Sequence, residues 1–250
     1  MKGADGAAGP RLTVLPDPES LARHAAGRLA HEIRSALAAR GECALALPGG
    51  GTPQEALELL AQEPGLGWAR VVVVVGDERL VEPGDPRSHE RMVRQALVGH
   101  LQGDQPQVLG WEVVPGLGPE MVSQRFEGRF LGVVPYVEGR PQLDVLVLGL
   151  GQDGHSGALF PERRYRDEAV VVTSKDDDGL PRVGLGPLAL RSARGTFFLI
   201  EGESKAEALA QVLDGPDDPL RWPAQLVARA TYCEIWCDRK AASRLRGAAF

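Results

Sequence analysis

Short apolar runs alternate with amphipathic stretches along this chain. The runs at residues 43–47, 70–75 and 143–148 are rich in valine, leucine and alanine and contain few polar positions. Such runs are typical of strands that are buried on both faces of a parallel sheet. Between Leu21 and Leu37 the apolar residues instead recur at helical spacing. The pattern predicts an α/β fold with an open, mostly parallel sheet and helices on both faces.

Polar residues are concentrated directly after the apolar run at 143–148. Residues 149–156 read GLGQDGHS, a glycine-rich turn that carries a carboxylate, Asp153, and an imidazole, His155, two positions apart. Ligands of open α/β sheets bind beyond the carboxyl ends of the strands. This turn is therefore the predicted catalytic loop, and His155 is its leading catalytic candidate.

The same turn contains Gly149, Gly151 and Gly154 at the spacing of the dinucleotide fingerprint G-x-G-x-x-G. That fingerprint opens a long helix, whereas Pro161 follows the last glycine closely and would interrupt one. Asp153 would also place a negative charge where a pyrophosphate needs free amides. We therefore interpret the turn as a catalytic loop and not as a nucleotide site.

A second glycine-rich segment, PGGGTP at residues 48–53, follows the first of these runs. Three successive glycines let backbone amides approach a ligand closely. Thr52 is predicted to be the N-cap of the next helix. A strand, a glycine loop and a helix N-terminus together favour an anion site, most commonly for phosphate, over a simple tight turn. The lysine of a Walker loop is absent, which argues against a nucleoside triphosphate.

Charged residues follow the run at 70–75 as GDERLV, residues 76–81. A short charged run is usually a solvated loop, but its position after a central strand equally favours a functional role. Lys205 lies in the first turn of a predicted helix, where a cation is unfavourable for the helix dipole. Its side chain therefore either reaches solvent or serves an anion that binds nearby.

The 250 residues carry a formal net charge of -6 and no block of lysine and arginine. This composition argues against a nucleic-acid partner, and no apolar run approaches the roughly 20 residues of a membrane span. Residues 1–10 are predicted to be a disordered tail without a signal peptide, and residues 11–250 a single domain. Cys43, Cys233 and Cys237 are interpreted as buried thiols of a cytoplasmic protein, not as a disulfide framework or a metal site.

Six motifs together resemble, in order and spacing, those of the glucosamine-6-phosphate isomerase/6-phosphogluconolactonase family, and of its lactonases in particular. They are PGGGTP at 48–53, GDERLV at 76–81, GLGQDGHSGALFP at 149–161, PRVGL at 181–185, GESKAEAL at 202–209 and WPAQLV at 222–227. The resemblance implies a Rossmann-like fold. It also implies hydrolysis of 6-phospho-D-glucono-1,5-lactone in the oxidative pentose phosphate pathway, without a redox cofactor or an obligatory metal.

The resemblance implies roles for individual side chains. His155 matches the histidine that activates water, Asp153 the aspartate beside it, and Arg79 the arginine of the acidic-arginine motif. Phosphate or substrate contacts are expected from Gly49, Gly50, Gly51, Thr52, Asp77, Arg182 and Lys205. We expect Asp153 to orient His155 or the water, and we expect Arg79 or Arg182 to stabilise the oxyanion.

Several positions depart from the family pattern. Pro48 and Gly51 replace serines of the first glycine loop, and His89 replaces the asparagine of a Ser-Asn pair. Gly184 and Gly186 replace threonines that follow the Pro-Arg pair. We expect local contacts to the ligand to differ at these positions, while the histidine, the aspartate and the cations are retained.

Two alternatives belong to other functional classes. Glucosamine-6-phosphate deaminases resemble the chain in the glycine loop and the Asp-Gly-His motif. They typically have a glutamate where this chain has Phe160 and a tyrosine where it has Arg79. A non-catalytic sugar-phosphate sensor would need a DNA-binding module, and we expect none before residue 11. The sequence leaves the oligomeric state open between a monomer and a small homo-oligomer.

Overall fold

The computed structural model describes residues 9–229 and 232–246. Residues 1–8 of the predicted tail lie outside this range. In the described part the strands are, in chain order, β1 (Arg11–Leu15), β2 (Cys43–Leu47), β3 (Val71–Val75), β4 (Asp77–Arg79), β5 (Gln107–Leu109), β6 (Tyr136–Val137), β7 (Arg140–Pro141), β8 (Val145–Leu148), β9 (Val171–Lys175), β10 (Pro181–Leu185), β11 (Gly195–Ile200) and β12 (Cys233–Asp238). The α-helices are α1 (Pro18–Arg40), α2 (Thr52–Ala61), α3 (His89–Ala96), α4 (Pro119–Val133), α5 (Pro187–Arg191), α6 (Ala206–Asp214) and α7 (Gln225–Ala228).

Seven strands form the main sheet in the order β1-β12-β11-β8-β2-β3-β5. Every neighbouring pair in this sheet is parallel. The strands β2, β8 and β11 are buried at every position, as their apolar runs require. The predicted open, mostly parallel α/β sheet is therefore confirmed.

Helices cover both faces of the main sheet. On one face α1, α2 and α3 pack around a cluster that includes Leu29, Leu57 and Trp236. On the other face α4, α6 and α7 pack around a cluster that includes Phe126 and Phe198. Each such buried side chain contributes about 1.5–3 kcal/mol to folding, so both layers hold the strand ends of the sheet in fixed positions.

A small antiparallel sheet lies beside the main one, in the order β4-β10-β9. Its register places Asp77 opposite Gly184 and Arg79 opposite Arg182. The charged run after β3 is therefore a strand and not a solvated loop. This pairing brings together two of the six motifs, 76–81 and 181–185, that are about a hundred positions apart in the sequence.

The predicted N-cap of α2 is wrong by one residue. The helix begins at Thr52, and Gly51 is the N-cap, with helical dihedral angles and no side-chain capping bond. Gly51 already has helical dihedral angles and offers no side-chain oxygen to the first amides of the helix, so Thr52 lies within the helix and does not cap it. The first amides of α2 are therefore capped by no side chain.

Candidate active site

The predicted site residues line a cleft of about 270 Å³ at the carboxyl edge of the main sheet. The ends of β2, β3, β8 and β11 all reach this edge, as expected for a parallel sheet. The cleft brings together Gly49, Gly50, Gly51, Thr52, Asp77, Arg79, His155, Arg182 and Lys205. Asp153 lines an adjoining outer cavity of about 410 Å³, which shares Arg79, His155, Arg182 and Lys205 with the cleft.

His155 and Asp153 form a hydrogen-bonded pair. The distance from His155 Nδ1 to Asp153 Oδ1 is 2.6 Å, and the His155 backbone N–H donates to the same oxygen at 3.2 Å. Partial burial acts to raise the pKa of the Asp153 carboxyl, but the hydrogen bond and charge of His155 prevail and lower it. When His155 is neutral, an ionised Asp153 holds its proton on Nδ1, which leaves Nε2 as the basic nitrogen.

Two glycines give the catalytic loop its shape. Gly154 has a φ of 88°, which favours glycine, and its N–H donates to Gly151 O at 3.0 Å. A Cβ atom on Gly151 would overlap both the His155 ring and the Asp153 carboxylate. A Cβ on Gly154 would overlap the indole of Trp222. Of the glycines that spell the dinucleotide fingerprint, Gly151 thus makes room for the histidine–aspartate pair and Gly154 for Trp222.

Asp77 and Arg182 form a buried ion pair on the floor of the cleft. Arg182 Nη2 lies 2.5 Å from Asp77 Oδ2, and both side chains are about 95% buried. Burial alone would raise the pKa of Asp77, but His89 and Arg182 hold it well below its usual range. The Asp77 carboxylate is therefore already engaged by Arg182 and His89. A direct contact between Asp77 and substrate stays a prediction.

Arg79 supplies a second guanidinium next to Arg182. Its Nη1 donates to Arg87 O at 2.7 Å, and its side chain lines both cavities. Partial burial lowers the pKa of Arg79, and the nearby charge of Arg182 lowers it further. The carboxylates of Asp77, Glu78 and Asp176 act in the opposite direction. Two adjacent guanidinium groups that line the cleft are suited to stabilise a developing negative charge there.

Glu78 is a buried carboxylate that the sequence pattern did not single out. It accepts four hydrogen bonds, from Arg79 N, Ser88 Oγ, His89 N and Glu90 N, at 2.7–2.9 Å. These bonds satisfy the first amides of α3 and tie that helix to β4. Glu78 thereby fixes the backbone on either side of it, at Asp77 and Arg79. In the sequence it was only one charge in a short charged run.

The glycine loop and Lys205 form the other wall of the cleft. Gly50 has a φ of 96°, and Gly51 leads into α2 with no side chain over its first amides. Lys205 ends a 3₁₀ turn, Glu203–Lys205, that precedes α6, and burial lowers the pKa of its ammonium group while Asp153 opposes this effect. Amides at a helix N-terminus and a lysine are together suited to bind a phosphate.

The three cysteines lie apart from this chemistry. Cys43, Cys233 and Cys237 are free and buried, and burial raises the pKa of each thiol to about 12. Such thiols are unreactive at neutral pH.

Among residues 9–229 and 232–246, no three histidine, cysteine, aspartate or glutamate side chains are arranged to hold a metal ion. No helix in the described part of the chain is both long and apolar enough to cross a membrane.

The fold and the cleft define an α/β protein that combines a glycine-rich loop with a histidine–aspartate pair at one edge of a parallel sheet. Sequence comparison then identifies its family. The model described as "Glucosamine-6-phosphate isomerases/6-phosphogluconolactonase" matches residues 16–236. The chain belongs to this family, and the resemblance carried by the six motifs is confirmed.

Three relatives illustrate the similarity. A 6-phosphogluconolactonase from Synechocystis sp. is 31% identical over 241 residues, which cover 95% of this chain and 99% of the relative. The crystal structure of 6-phosphogluconolactonase from Leishmania guyanensis has a TM-score of 0.83 at 23% identity and covers 97% of this chain and 100% of its own. A monomeric glucosamine-6-phosphate deaminase has a TM-score of 0.77 at 22% identity, and the match covers 94% of this chain and 99% of the deaminase. The fold alone therefore does not separate a lactonase from a deaminase.

Proposed function

We propose that this protein hydrolyses 6-phospho-D-glucono-1,5-lactone to 6-phosphogluconate in the oxidative pentose phosphate pathway. The observation that carries the proposal is the His155–Asp153 pair, which lies on the same cleft as the glycine loop and Lys205. A base and a phosphate site in one cleft are what hydrolysis of a phosphorylated lactone needs. The match to the Synechocystis lactonase over nearly its whole length supports the same activity.

His155 acts as the general base. With Nδ1 held by Asp153, its Nε2 takes a proton from water as the water oxygen attacks the lactone carbonyl carbon. The tetrahedral intermediate then collapses, the bond from this carbon to the ring oxygen breaks, and the imidazolium returns the proton to that oxygen. Arg79 or Arg182 stabilises the oxyanion, because both guanidinium groups line the cleft.

The phosphate anchors the substrate away from the reacting bond. The amides of residues 49–52 and the side chain of Lys205 bind it, with Arg182 at the floor of the same cleft. Binding energy from this remote group orients the carbonyl against the water. The chemistry uses neither a redox cofactor nor a metal ion, because a lactone is already an activated ester.

Glucosamine-6-phosphate deamination is the second candidate, since a deaminase shares this fold. Phe160 argues against it. Its ring stacks on His155, and a phenyl ring can neither accept nor donate the proton that a glutamate at this position would transfer. A sensor role is the third candidate, and the paired His155 and Asp153 favour an enzyme over it.

The decisive experiment compares wild type with His155→Ala. The lactone is generated in place from glucose 6-phosphate, and 6-phosphogluconate is followed above the spontaneous rate. We expect the variant to lose about 10² or more in rate and to unfold at the same denaturant concentration as wild type. If both proteins gave only the spontaneous rate, the function would be wrong, and glucosamine 6-phosphate would be the next substrate to test.

The proposal extends to partners and location. The phosphosugar lactone is the one partner that the cleft requires. We propose a cytoplasmic monomer or small homo-oligomer that binds neither nucleic acid nor membranes, in keeping with the net charge of -6. Size-exclusion chromatography with light scattering measures the oligomeric state directly.

A further inference from the structure

A second histidine lies in the cleft, beneath the glycine loop. His89 is the first residue of α3, it is only 5% exposed, and it lines the same cavity as His155. A Cβ atom on Gly49 would overlap the His89 imidazole, so the ring packs directly against the loop backbone. The position is one at which the chain departs from the family pattern. What His89 does there follows from its two ring nitrogens.

One ring nitrogen is fully engaged. Nδ1 of His89 lies 2.9 Å from Asp77 O and 3.3 Å from Asp77 Oδ2. Both partners are acceptors, so Nδ1 carries a proton whether the ring is neutral or charged. The backbone N–H of the same residue donates to Glu78 Oε1 at 2.7 Å. The backbone and the ring plane of His89 are therefore both fixed.

The other ring nitrogen has no partner. Nε2 of His89 is buried, and no described atom hydrogen-bonds to it. Nε of Arg182 is also buried and unpaired, and Arg182 is held by the same Asp77 carboxylate. Unpaired buried polar atoms are costly and rare in folded proteins. Two of them around one carboxylate, in a cleft with an anion-binding loop, point to a ligand group that completes their hydrogen bonds.

We propose that Nε2 of His89 donates a hydrogen bond to the phosphate of the bound phosphosugar, with the ring in its imidazolium form. This inference rests on the proposed function and deepens it, because it names a residue that recognises the phosphate. A neutral ring with its proton on Nδ1 would present only a lone pair at Nε2, which a phosphate oxygen repels. At a pH at which the free ring is neutral, phosphate binding is therefore accompanied by uptake of one proton from solvent.

The surrounding charges support an imidazolium in the complex. Strand β4 places Asp77 and Glu78 against His89, and β10 contributes Arg182, which shares the Asp77 carboxylate. The glycine loop, packed against the ring, brings no ionisable side chain. Asp77 faces both His89 and Arg182, and Asp176 Oδ2 lies 3.7 Å from Arg182 Nη1. Protonation of His89 adds a positive charge to a cleft that Arg79 and Lys205 also line, so binding of a phosphate dianion and protonation of His89 favour each other.

Nitrogen NMR reads this protonation directly. The chain has five histidines, so a long-range ¹H–¹⁵N correlation of ¹⁵N-histidine protein is assignable, and His89→Asn identifies the His89 signal. At about pH 7.5, saturating 6-phosphogluconate or inorganic phosphate should give His89 the imidazolium pattern. A His89 that stays neutral in the saturated complex would overturn the proposal, as would failure of both ligands to bind.

Binding measurements supply an independent test. In a His155→Asn background, which removes the other titrating histidine of the cleft, affinity for 6-phosphogluconate should fall as pH rises through the histidine range. His89→Phe should weaken binding about tenfold or more at about pH 6 and should leave only the pH dependence that the phosphate's own second ionisation, with a pKa of about 6, produces. His89→Asn, which keeps an N–H donor without a titrating group, should restore affinity but not the pH dependence. Unchanged affinity in His89→Phe would contradict the proposal even if wild type hydrolyses the lactone.

The two hypotheses can therefore fail separately. If wild type hydrolyses the lactone and substitution of His89 does not change binding, the proposed function stands and His89 has no role in phosphate recognition. Conversely, an imidazolium at His89 with bound inorganic phosphate, in a protein that does not accelerate lactone hydrolysis, would retain the phosphate contact and reject the proposed substrate.

Discussion

The phenyl ring of Phe160 lies against the imidazole of His155, with ring centroids 4.5 Å apart and ring planes inclined by 22°. The guanidinium of Arg182 lies 5.6 Å from the centroid of the same phenyl ring. The Phe160 N–H donates to the hydroxyl of Tyr165 at 2.8 Å, which fixes the backbone beneath the ring. Phe160 thus contacts both the proposed base and one of the proposed oxyanion donors.

Removing this ring should impair turnover more than binding. Phe160→Leu removes the ring that stacks on the imidazole and leaves the Asp153 hydrogen bond to orient it. A small misplacement of a catalytic group costs about tenfold to 10²-fold in rate. We expect kcat for lactone hydrolysis to fall by that amount. KM should change little, because the ring positions the base and is not proposed to bind the substrate. Steady-state kinetics with correction for spontaneous hydrolysis measure both constants.

Phe130→Leu is the matched control for Phe160→Leu. Phe130 is buried in the same hydrophobic cluster as the β8 and β11 side chains but lies on α4, away from the cleft. The Phe130→Leu variant should lose about 1–3 kcal/mol of its free energy of unfolding and keep the kcat of wild type. Equal losses of kcat in the two variants would show that Phe160 acts through stability alone.

Asp153 should matter through the histidine it holds. Asp153→Asn keeps the shape of the side chain but offers an amide in place of the carboxylate that accepts from Nδ1. The imidazole then loses its fixed tautomer, and we expect kcat to fall about tenfold or more with little change in KM. Asp178→Asn, at an exposed carboxylate that lines the same outer cavity, is the control. Full activity of Asp153→Asn would remove the carboxylate from the mechanism.

Lys205 should serve binding and not the chemical step. Lys205→Gln removes a half-buried cation that lines the cleft, and a lost charge-assisted hydrogen bond typically weakens binding by about tenfold or more. We expect KM to rise by this factor and kcat to change little. Lys240→Gln, at an exposed lysine, should leave both constants unchanged. A fall in kcat without a rise in KM would assign Lys205 to the reaction itself.

The main sheet could be predicted because its signal is local. The apolar runs at 43–47 and 143–148 contain β2 and β8 in full, and the polar turn after 148 carries the histidine–aspartate pair. A strand buried on both faces must be apolar throughout, so its sequence reveals it without knowledge of its neighbours. His155 and the glycines that follow β8 could be found for the same reason, because they come directly after a strand that the sequence reveals.

The small antiparallel sheet could not be predicted in this way. Strands β4 and β10 pair across about a hundred residues, and β4 consists of Asp77, Glu78 and Arg79, a sequence typical of a solvated loop. Its stability comes from partners supplied by other segments, namely the amides of α3 for Glu78 and the guanidinium of Arg182 for Asp77. A sequence pattern contains no record of such distant charge pairing.

The last prediction concerns the buried Asp77–Arg182 pair. Asp77→Asn leaves the Arg182 guanidinium buried without its counter-charge, and breaking such a pair costs about 3–5 kcal/mol. The folded-state pKa of Asp77 lies below the unfolded-state value of about 3.9. Its contribution to the free energy of unfolding is therefore fully present above about pH 4 and is lost as pH falls towards the folded-state pKa.

Urea unfolding of wild type and Asp77→Asn tests this sign. The wild type should be more stable by the full amount at about pH 7, and the difference should shrink progressively below about pH 4, as protonation neutralises the wild-type carboxyl. Asp178→Asn, at an exposed carboxylate, should follow wild type at every pH. A difference that stays constant or grows with acidity would mean that the Asp77 carboxylate is not held ionised by its neighbours, and that the cleft floor is not organised around its charge.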